Sequence, residues 1–264
     1  MDILRKSMAP ISDQAWEEIN EEAKQTLETV LSARRFVDIE GPKGLDHTAV
    51  SLGKLNVPAK QAKKDVQYGI YEVMPLIETR IPFELDIWEL DNVARGNEDI
   101  DLDNLQVAAR KIAEFEEKVV FHGFKQANIK GLLNSSDYSP MEITENMDSL
   151  VENLSKAIIK FQKNGVQGPF HLVVGPEIYQ KINSYMKGYP LKKQVQNIIG
   201  GDIILAHGIE SAILVSGRGG DFRLTLGQDL AIGYDNHDSK KVELYLTESF
   251  TFQVLDPAAI MFFK

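Results

Sequence analysis

Trp16, Ile19, Ala23, Leu27, Val30 and Leu31 recur at helical spacing and predict one helix from Ser12 to about Ala33. Ser12 suits its N-cap, and Asp13, Glu17 and Glu18 suit its positive end. Burying such side chains stabilises by about 1.5–3 kcal/mol each, so the stripe needs a partner surface. Phe36-Val37-Asp38-Ile39 then reads as a short strand stopped by Glu40-Gly41-Pro42. A second long helix is expected from Asp103 to His122, capped by Asp101 or Asp103. Leu105, Ala109, Ile112, Phe115 and Val119 line one face of it, and Gly123 suits its end. A third is expected from Met147 to Phe161.

The segment Tyr71–Ile87 changes period. Tyr71, Val73, Ile77, Ile81, Phe83, Leu85 and Ile87 fall on odd positions, and Glu72, Glu78, Arg80, Glu84 and Asp86 on even ones. That alternation marks a half-buried strand. At about 3.3 Å per residue it would extend about 55 Å, more than the diameter of about 47 Å of a globule this size. Two readings follow from the pattern. One is a meander broken at Pro75 and Pro82, where the ladder loses a donor. The other is a two-stranded arm, with Thr48 to about Gln67 as its second limb, lying on a neighbouring subunit.

Farther on, Phe170–Val174, Ile203–Ala206 and Ala212–Ser216 read as strands, and Glu177–Tyr185 and Leu191–Ile199 as short helices. After Arg218 the chain turns mainly to β. Phe222, Leu224, Leu226, Leu230, Ile232 and Tyr234 alternate with more polar residues, as do Val242, Leu244, Leu246, Phe250, Phe252 and Val254. Ile260-Met261-Phe262-Phe263 reads as a packed final strand. No repeat of period 20–50 occurs. The class is α+β.

Composition narrows the function. The 264 residues are 43% hydrophobic, enough for a large core in one or two joined domains. No apolar run approaches the roughly 20 residues of a membrane span, and the N-terminus lacks a signal-peptide pattern, so neither a membrane partner nor export is expected. Cysteine is absent, which excludes disulfides, thiolate catalysis and Cys-ligated metals. A net charge of −10, with Lys60, Lys63, Lys64 and Lys187, Lys192, Lys193 the densest basic groups, leaves no nucleic-acid surface.

Motifs for chemistry are few. Asp99-x-Asp101-x-Asp103 imitates the opening of a calcium loop, but Asn104 replaces the turn glycine and Arg110 the bidentate Glu. Ser51-x-x-Lys54 lacks its companion motifs. Gly217-Arg218-Gly219-Gly220 opens a strand and reads as a hairpin turn. His47, His122, His171, His207 and His237 share no ligand spacing, so no metal site is expected. Glu114, Glu116 and Glu117 read as the outer, solvated face of their helix. No catalytic residue emerges, and the chain is expected not to be an enzyme.

Several stretches taken together resemble the encapsulins. These are Leu4-Arg5-Lys6-Ser7-Met8-Ala9-Pro10, Arg34-Arg35-Phe36-Val37-Asp38-Ile39-Glu40-Gly41-Pro42 and Leu85-Asp86-Ile87-Trp88-Glu89-Leu90-Asp91-Asn92. Gly219-Gly220-Asp221-Phe222, Leu226-Gly227-Gln228-Asp229-Leu230 and Thr247-Glu248-Ser249-Phe250-Thr251-Phe252-Gln253-Val254 complete them, in order along nearly the whole chain. The resemblance implies the tailed-phage major-capsid fold (Hong Kong 97 type), with peripheral domain, axial domain and extended loop. Carried over, residues 1–45 form an N-terminal helix and arm, 46–92 the extended loop, 93–136 and 217–264 the peripheral domain, and 137–216 the axial domain. It favours the arm for Tyr71–Ile87 and makes the Asp103–His122 helix the spine of the peripheral domain.

The implied function is containment. The chain would assemble with itself into a hollow icosahedral shell, T=1 by its compact length, in the bacterial cytoplasm. A cargo enzyme, ferritin-like or a dye-decolourising-type peroxidase, would dock inside by a C-terminal targeting peptide. The resemblance assigns that docking groove to Leu27, Leu31, Arg34, Phe36 and Asp38, opposed by Ile232, Tyr234 and Leu246. It sets the loop Met186-Lys187-Gly188-Tyr189 around a pore on the fivefold axis, where Lys187 would favour anions. Some relatives bind flavin on a tryptophan, and Trp88 is the matching position; no cofactor is required. The rival readings are a prophage capsid protein, expected to begin with a long scaffolding segment, and a protease or bacteriocin.

Overall fold

A computed structural model of the chain describes residues 3–61, 66–143 and 148–264, apart from the side chains of Asp148 and Lys187. The first helix, α1 (Asp13–Val30), starts where Ser12 Oγ accepts the Ala15 N–H at 3.2 Å. Past it come a 3-10 turn at Ala33–Arg35 and strand β1 (Asp38–Glu40). Strands β2 (Ala49–Asn56), β3 (Ile70–Pro75) and β4 (Ile77–Asp86) precede helix α2 (Ile87–Ala94). The long α3 (Asp103–His122) has the expected bounds. Its N-cap is Leu102 and not an aspartate; Asp101 Oδ1 instead accepts the Asp103 N–H at 3.0 Å.

After α3 the chain forms β5 (Gly123–Phe124), β6 (Ile129–Lys130), α4 (Asp148–Lys163), β7 (Phe170–Val174) and α5 (Pro176–Ser184). The expected start of α4 at Met147 lies outside the described residues. A small hairpin of β8 (Met186–Lys187) and β9 (Tyr189–Pro190) follows, then α6 (Leu191–Ile199), β10 (Ile203–Leu205) and β11 (Ala212–Ser216). The chain ends in β12 (Phe222–Leu226), β13 (Ala231–His237), β14 (Lys241–Val254) and β15 (Ile260–Phe263).

Two sheets organise these elements. In the five-stranded sheet, β14 is the central strand. β4 pairs along one side of it, from Asp86 opposite Lys241 to Ile77 opposite Phe250. β12 and β13 follow one another along its other side, and β1 joins β12 in parallel. β12 and β13 are therefore one line of strand, interrupted by the Gly227–Leu230 loop. The four-stranded sheet has the order β10-β7-β11-β15. It draws Ile260–Phe263 from beyond residue 216, where the expected axial range ends.

The Tyr71–Ile87 segment divides at Leu76; the arm reading holds for its first part, and the meander broken at Pro82 is not found, since β4 runs unbroken through that residue. Among the described residues β3 pairs only with β2, forming a two-stranded arm. β4 belongs to the sheet, on its edge, a position where proline is tolerated within a ladder. The arm is thus shorter than the alternation suggested. The Gly217–Gly220 turn is also corrected. It carries the chain from β11 in one sheet to β12 in the other, with positive φ at Gly219 and Gly220, and closes no hairpin.

α1 and α3 lie over one face of the five-stranded sheet. Ile19, Leu105, Ile112, Phe83, Leu244 and Leu246 share a core there. A larger core joins the rest of that sheet to the four-stranded one through Phe121, Phe222, Phe252 and Phe263.

Candidate functional site

The last turns of α1 face the loop that interrupts the β12–β13 line. Between them runs a groove of about 700 Å³, and five of the eight expected docking residues line it: Leu27, Leu31, Arg34, Ile232 and Leu246. Ile232 and Leu246 are nearly fully buried, so they serve the core and offer only an edge to the groove. Three expected residues are elsewhere. Phe36 packs in the core, its ring 6.3 Å from Phe222 and 6.4 Å from Phe121. Asp38 turns away, its Oδ2 accepting the Gly220 N–H at 2.6 Å and fastening the crossover between the sheets. Tyr234 is buried, with its hydroxyl 2.6 Å from His237 Nδ1.

Lys24, Glu28, Arg35, Asp229 and Leu230 are among the other lining residues and were not anticipated. Lys24 and Glu28 sit one residue along from Ala23 and Leu27, so the same helical spacing places them on the groove's rim. Neither Lys24 nor Arg35 carries an ion pair among the described residues, whereas Arg34 is fully engaged.

The floor under Arg34 is an ion network. Its Nε donates to Glu116 Oε1 and Oε2 at 3.0 and 3.1 Å, and Nη2 reaches Glu116 Oε2 at 2.5 Å and Glu248 Oε1 at 2.6 Å. Nη1 donates to Asp229 Oδ1 at 2.9 Å. Glu116 and Glu248 are 0% exposed, so one cation serves two fully buried carboxyls and a half-exposed one. Burial works against the charge of Arg34, but the bonds to Glu116 and the charges of Glu116, Glu248 and Asp229 outweigh it and hold the guanidinium protonated. Glu248 goes the other way. Burial, the Glu116 charge and a hydrogen bond with Glu116 raise its pKa well above the usual carboxylate range, against the pull of Arg34. Ionised, its Oε2 has no donor; protonated, it bonds to Glu116.

Glu117, next along α3, is 2% exposed. Its Oε1 accepts the Ala33 N–H at 2.8 Å and its Oε2 accepts from Ser32 Oγ. Burial pushes its pKa up to about 7, although both hydrogen bonds oppose the shift. Glu116 and Glu117 are therefore not outer-face charges, as the sequence suggested. Together they grip the Ser32–Arg35 turn that closes one end of the groove. Glu114 alone of the three stays exposed.

The remaining expected positions are apart from this groove. Met186 and Tyr189 are exposed on the β8–β9 hairpin, which turns at Gly188; the Lys187 side chain lies outside the described residues. Trp88 is 70% exposed on α2. It does not line the groove. Among the described residues, no group of three or more His, Asp or Glu could hold a metal, and no helix is long and apolar enough to cross a membrane.

Comparison with known proteins bears on the whole chain. The family model described as "Encapsulating protein for peroxidase" matches residues 1–251. The type 1 encapsulin shell protein of Rhodospirillum rubrum is 40% identical over 266 residues, covering 98% of this chain and 95% of that one. The type 1 encapsulin shell protein of Rhodococcus erythropolis is 38% identical, covering 98% of each. Among solved structures, a virus-like particle from Pyrococcus furiosus matches with a TM-score of 0.68 at 18% identity, covering 94% of this chain and 98% of that one. The capsid of the empty GTA particle matches at 0.57 and 15% identity, covering 89% of each. These two establish the capsid fold, of Hong Kong 97 type. Sequence relatives and fold agree with the segments picked out along the chain, and the chain belongs to the type 1 encapsulin shell-protein family.

Proposed function

We propose that this chain is the wall of a closed T=1 compartment in the bacterial cytoplasm, and that its α1 groove holds the C-terminal targeting peptide of a cargo enzyme. The observation that carries the docking reading is the groove itself, an apolar trough beside two cations that carry no ion pair among the described residues. Leu27, Leu31 and Leu230 offer aliphatic surface, and Lys24 and Arg35 stand at its rim. An extended peptide with alternating apolar anchors suits such a trough, and acidic groups beside the anchors would meet Lys24 and Arg35. A peroxidase cargo is supported by the family description; a ferritin-like cargo rests on resemblance alone.

The wall is supported by the β2–β3 arm. Leu55, Ile70, Tyr71 and Val73 are exposed on it, with Tyr71 at 74%. An apolar ribbon pairing only with itself is marginal in water, and a second copy of the chain is the cover that assembly supplies. The β8–β9 hairpin, with Met186 and Tyr189 outermost, is the element we assign to the fivefold pore.

The test is to express the chain alone and with a reporter protein bearing a candidate acidic–apolar C-terminal peptide. Uniform hollow particles by electron microscopy, with reporter co-eluting, are expected. Leu27→Asp should keep the particles and lower the loaded reporter at least about tenfold, the effect of about 1.4 kcal/mol. Monomers would overturn the wall reading. Loading indifferent to Leu27→Asp would overturn the groove.

A further inference from the structure

We propose that the Ser32–Arg35 turn is a proton-held latch at the end of the groove, closed while Glu117 and Glu248 are neutral and loosened as they ionise. The geometry carries this. Three carboxyls reach the turn, two from adjacent residues of α3 and one from β14, and all are at most 2% exposed. Arg34 brings the only positive charge bonded to them among the described residues, and it is also shared with Asp229. A site holding that many buried carboxyls around one cation cannot ionise them all without admitting water.

Among the described residues, the surroundings offer Glu117 no other close compensation. On its own helix Arg110 and Lys118 are exposed and Glu114 opposes them; His122, at the end of that helix, and His207 also line the adjoining cavity of about 730 Å³. His122 Nε2 is occupied with the Gly208 carbonyl at 2.9 Å. That cavity reaches Glu117 from one flank of the last turn of α1, while the peptide groove occupies the other. Opening the turn toward the cavity gives an ionised Glu117 the water that the closed site denies it, and this gain outweighs its bonds to Ser32 and Ala33. The turn then releases Arg34, and the wall that carries Leu31 loses its anchor.

The direction follows from the raised pKa. A carboxyl that is neutral in the closed state and ionises readily in the open state favours opening as pH rises. Opening of the turn should grow by up to about tenfold per pH unit for each such group, across the interval from its free pKa to its closed one. For Glu117 that interval is 4.5 to about 7.

The experiment is hydrogen–deuterium exchange on assembled particles at pH 5.5 and 8, with times scaled for intrinsic exchange and residues 31–37 read. Protection should fall by more than about tenfold in the wild type and stay level in Glu117→Gln/Glu248→Gln. Equal protection at both pH values in the wild type overturns the latch, and needs no variant to fold. The same decline in the double variant overturns it too. The consequence for cargo rests on the docking reading above, so peptide loading is measured at the same two pH values. A latch that opens while loading stays constant overturns only its coupling to the groove.

Discussion

Replacing Arg34 with methionine tests the ion network most directly, because methionine keeps much of the stem's apolar contact and removes the charge. In the wild type the guanidinium makes every donor contact found for Glu116 and for Glu248 Oε1. Without it, two carboxyls at 0% exposure share an apolar layer with no cation. Removing one partner of a buried ion pair costs about 3–5 kcal/mol, since the remaining charge stays desolvated. For a chain of this size about 1 kcal/mol moves the midpoint by about 2–4 °C, so Arg34→Met should lower Tm by about 10 °C at pH 8. Acid lessens the loss, because protonated carboxyls need no cation; at pH 5 the gap should narrow by at least half. Scanning calorimetry of wild type and variant at both pH values reads this out. A loss under about 1 kcal/mol, the worth of an exposed pair, or a gap independent of pH would refute the reasoning.

Tyr71→Asp should abolish the large particle in size-exclusion chromatography while the circular dichroism spectrum is unchanged, since the side chain is 74% exposed on the arm. Ser12→Ala removes the acceptor for the Ala15 N–H and should cost about 1 kcal/mol in a denaturant titration. Gly233→Ala would set a Cβ 2.2 Å from Tyr245 Cζ. The displaced ring, which holds Arg80 at 4.1 Å and donates to the Ile3 carbonyl at 3.0 Å, should free the N-terminal segment to proteolysis and cost about 1–3 kcal/mol.

Elements whose period is set by a buried stripe were legible: α3, α6, β7 and β11 have the bounds their patterns predicted. The ion network was missed although its signal was present. Leu105, Ala109, Ile112, Glu116 and Val119 lie on one helical stripe, and Glu248 occupies the inward row of Leu244, Leu246, Phe250 and Phe252. Two acids intruding on apolar rows ask for a buried cation, and Arg34 is it. Reading Glu116 with its neighbours as one charge cluster hid that. Asp38 and the Gly217–Gly220 turn failed for another reason: their partners are distant in sequence, and local turn chemistry is the same for a hairpin and a crossover. Of the groove, the aliphatic wall followed from α1's stripe, whereas Asp229 was set there by a break in a strand line that only the β14 register reveals.

The pairing of both sheets also fixes an order in time. β14 is the strand to which β4, β12 and β13 all bind, and β15 completes the other sheet. While a ribosome is still making the first 240 residues, β4 lacks the one strand it pairs with among the described residues, and β1 waits for its neighbour β12. A nascent or truncated chain can therefore display the apolar arm but not the body that carries it. Any contact that a neighbouring subunit makes with these sheets is thus open only to a chain translated through β14 and β15.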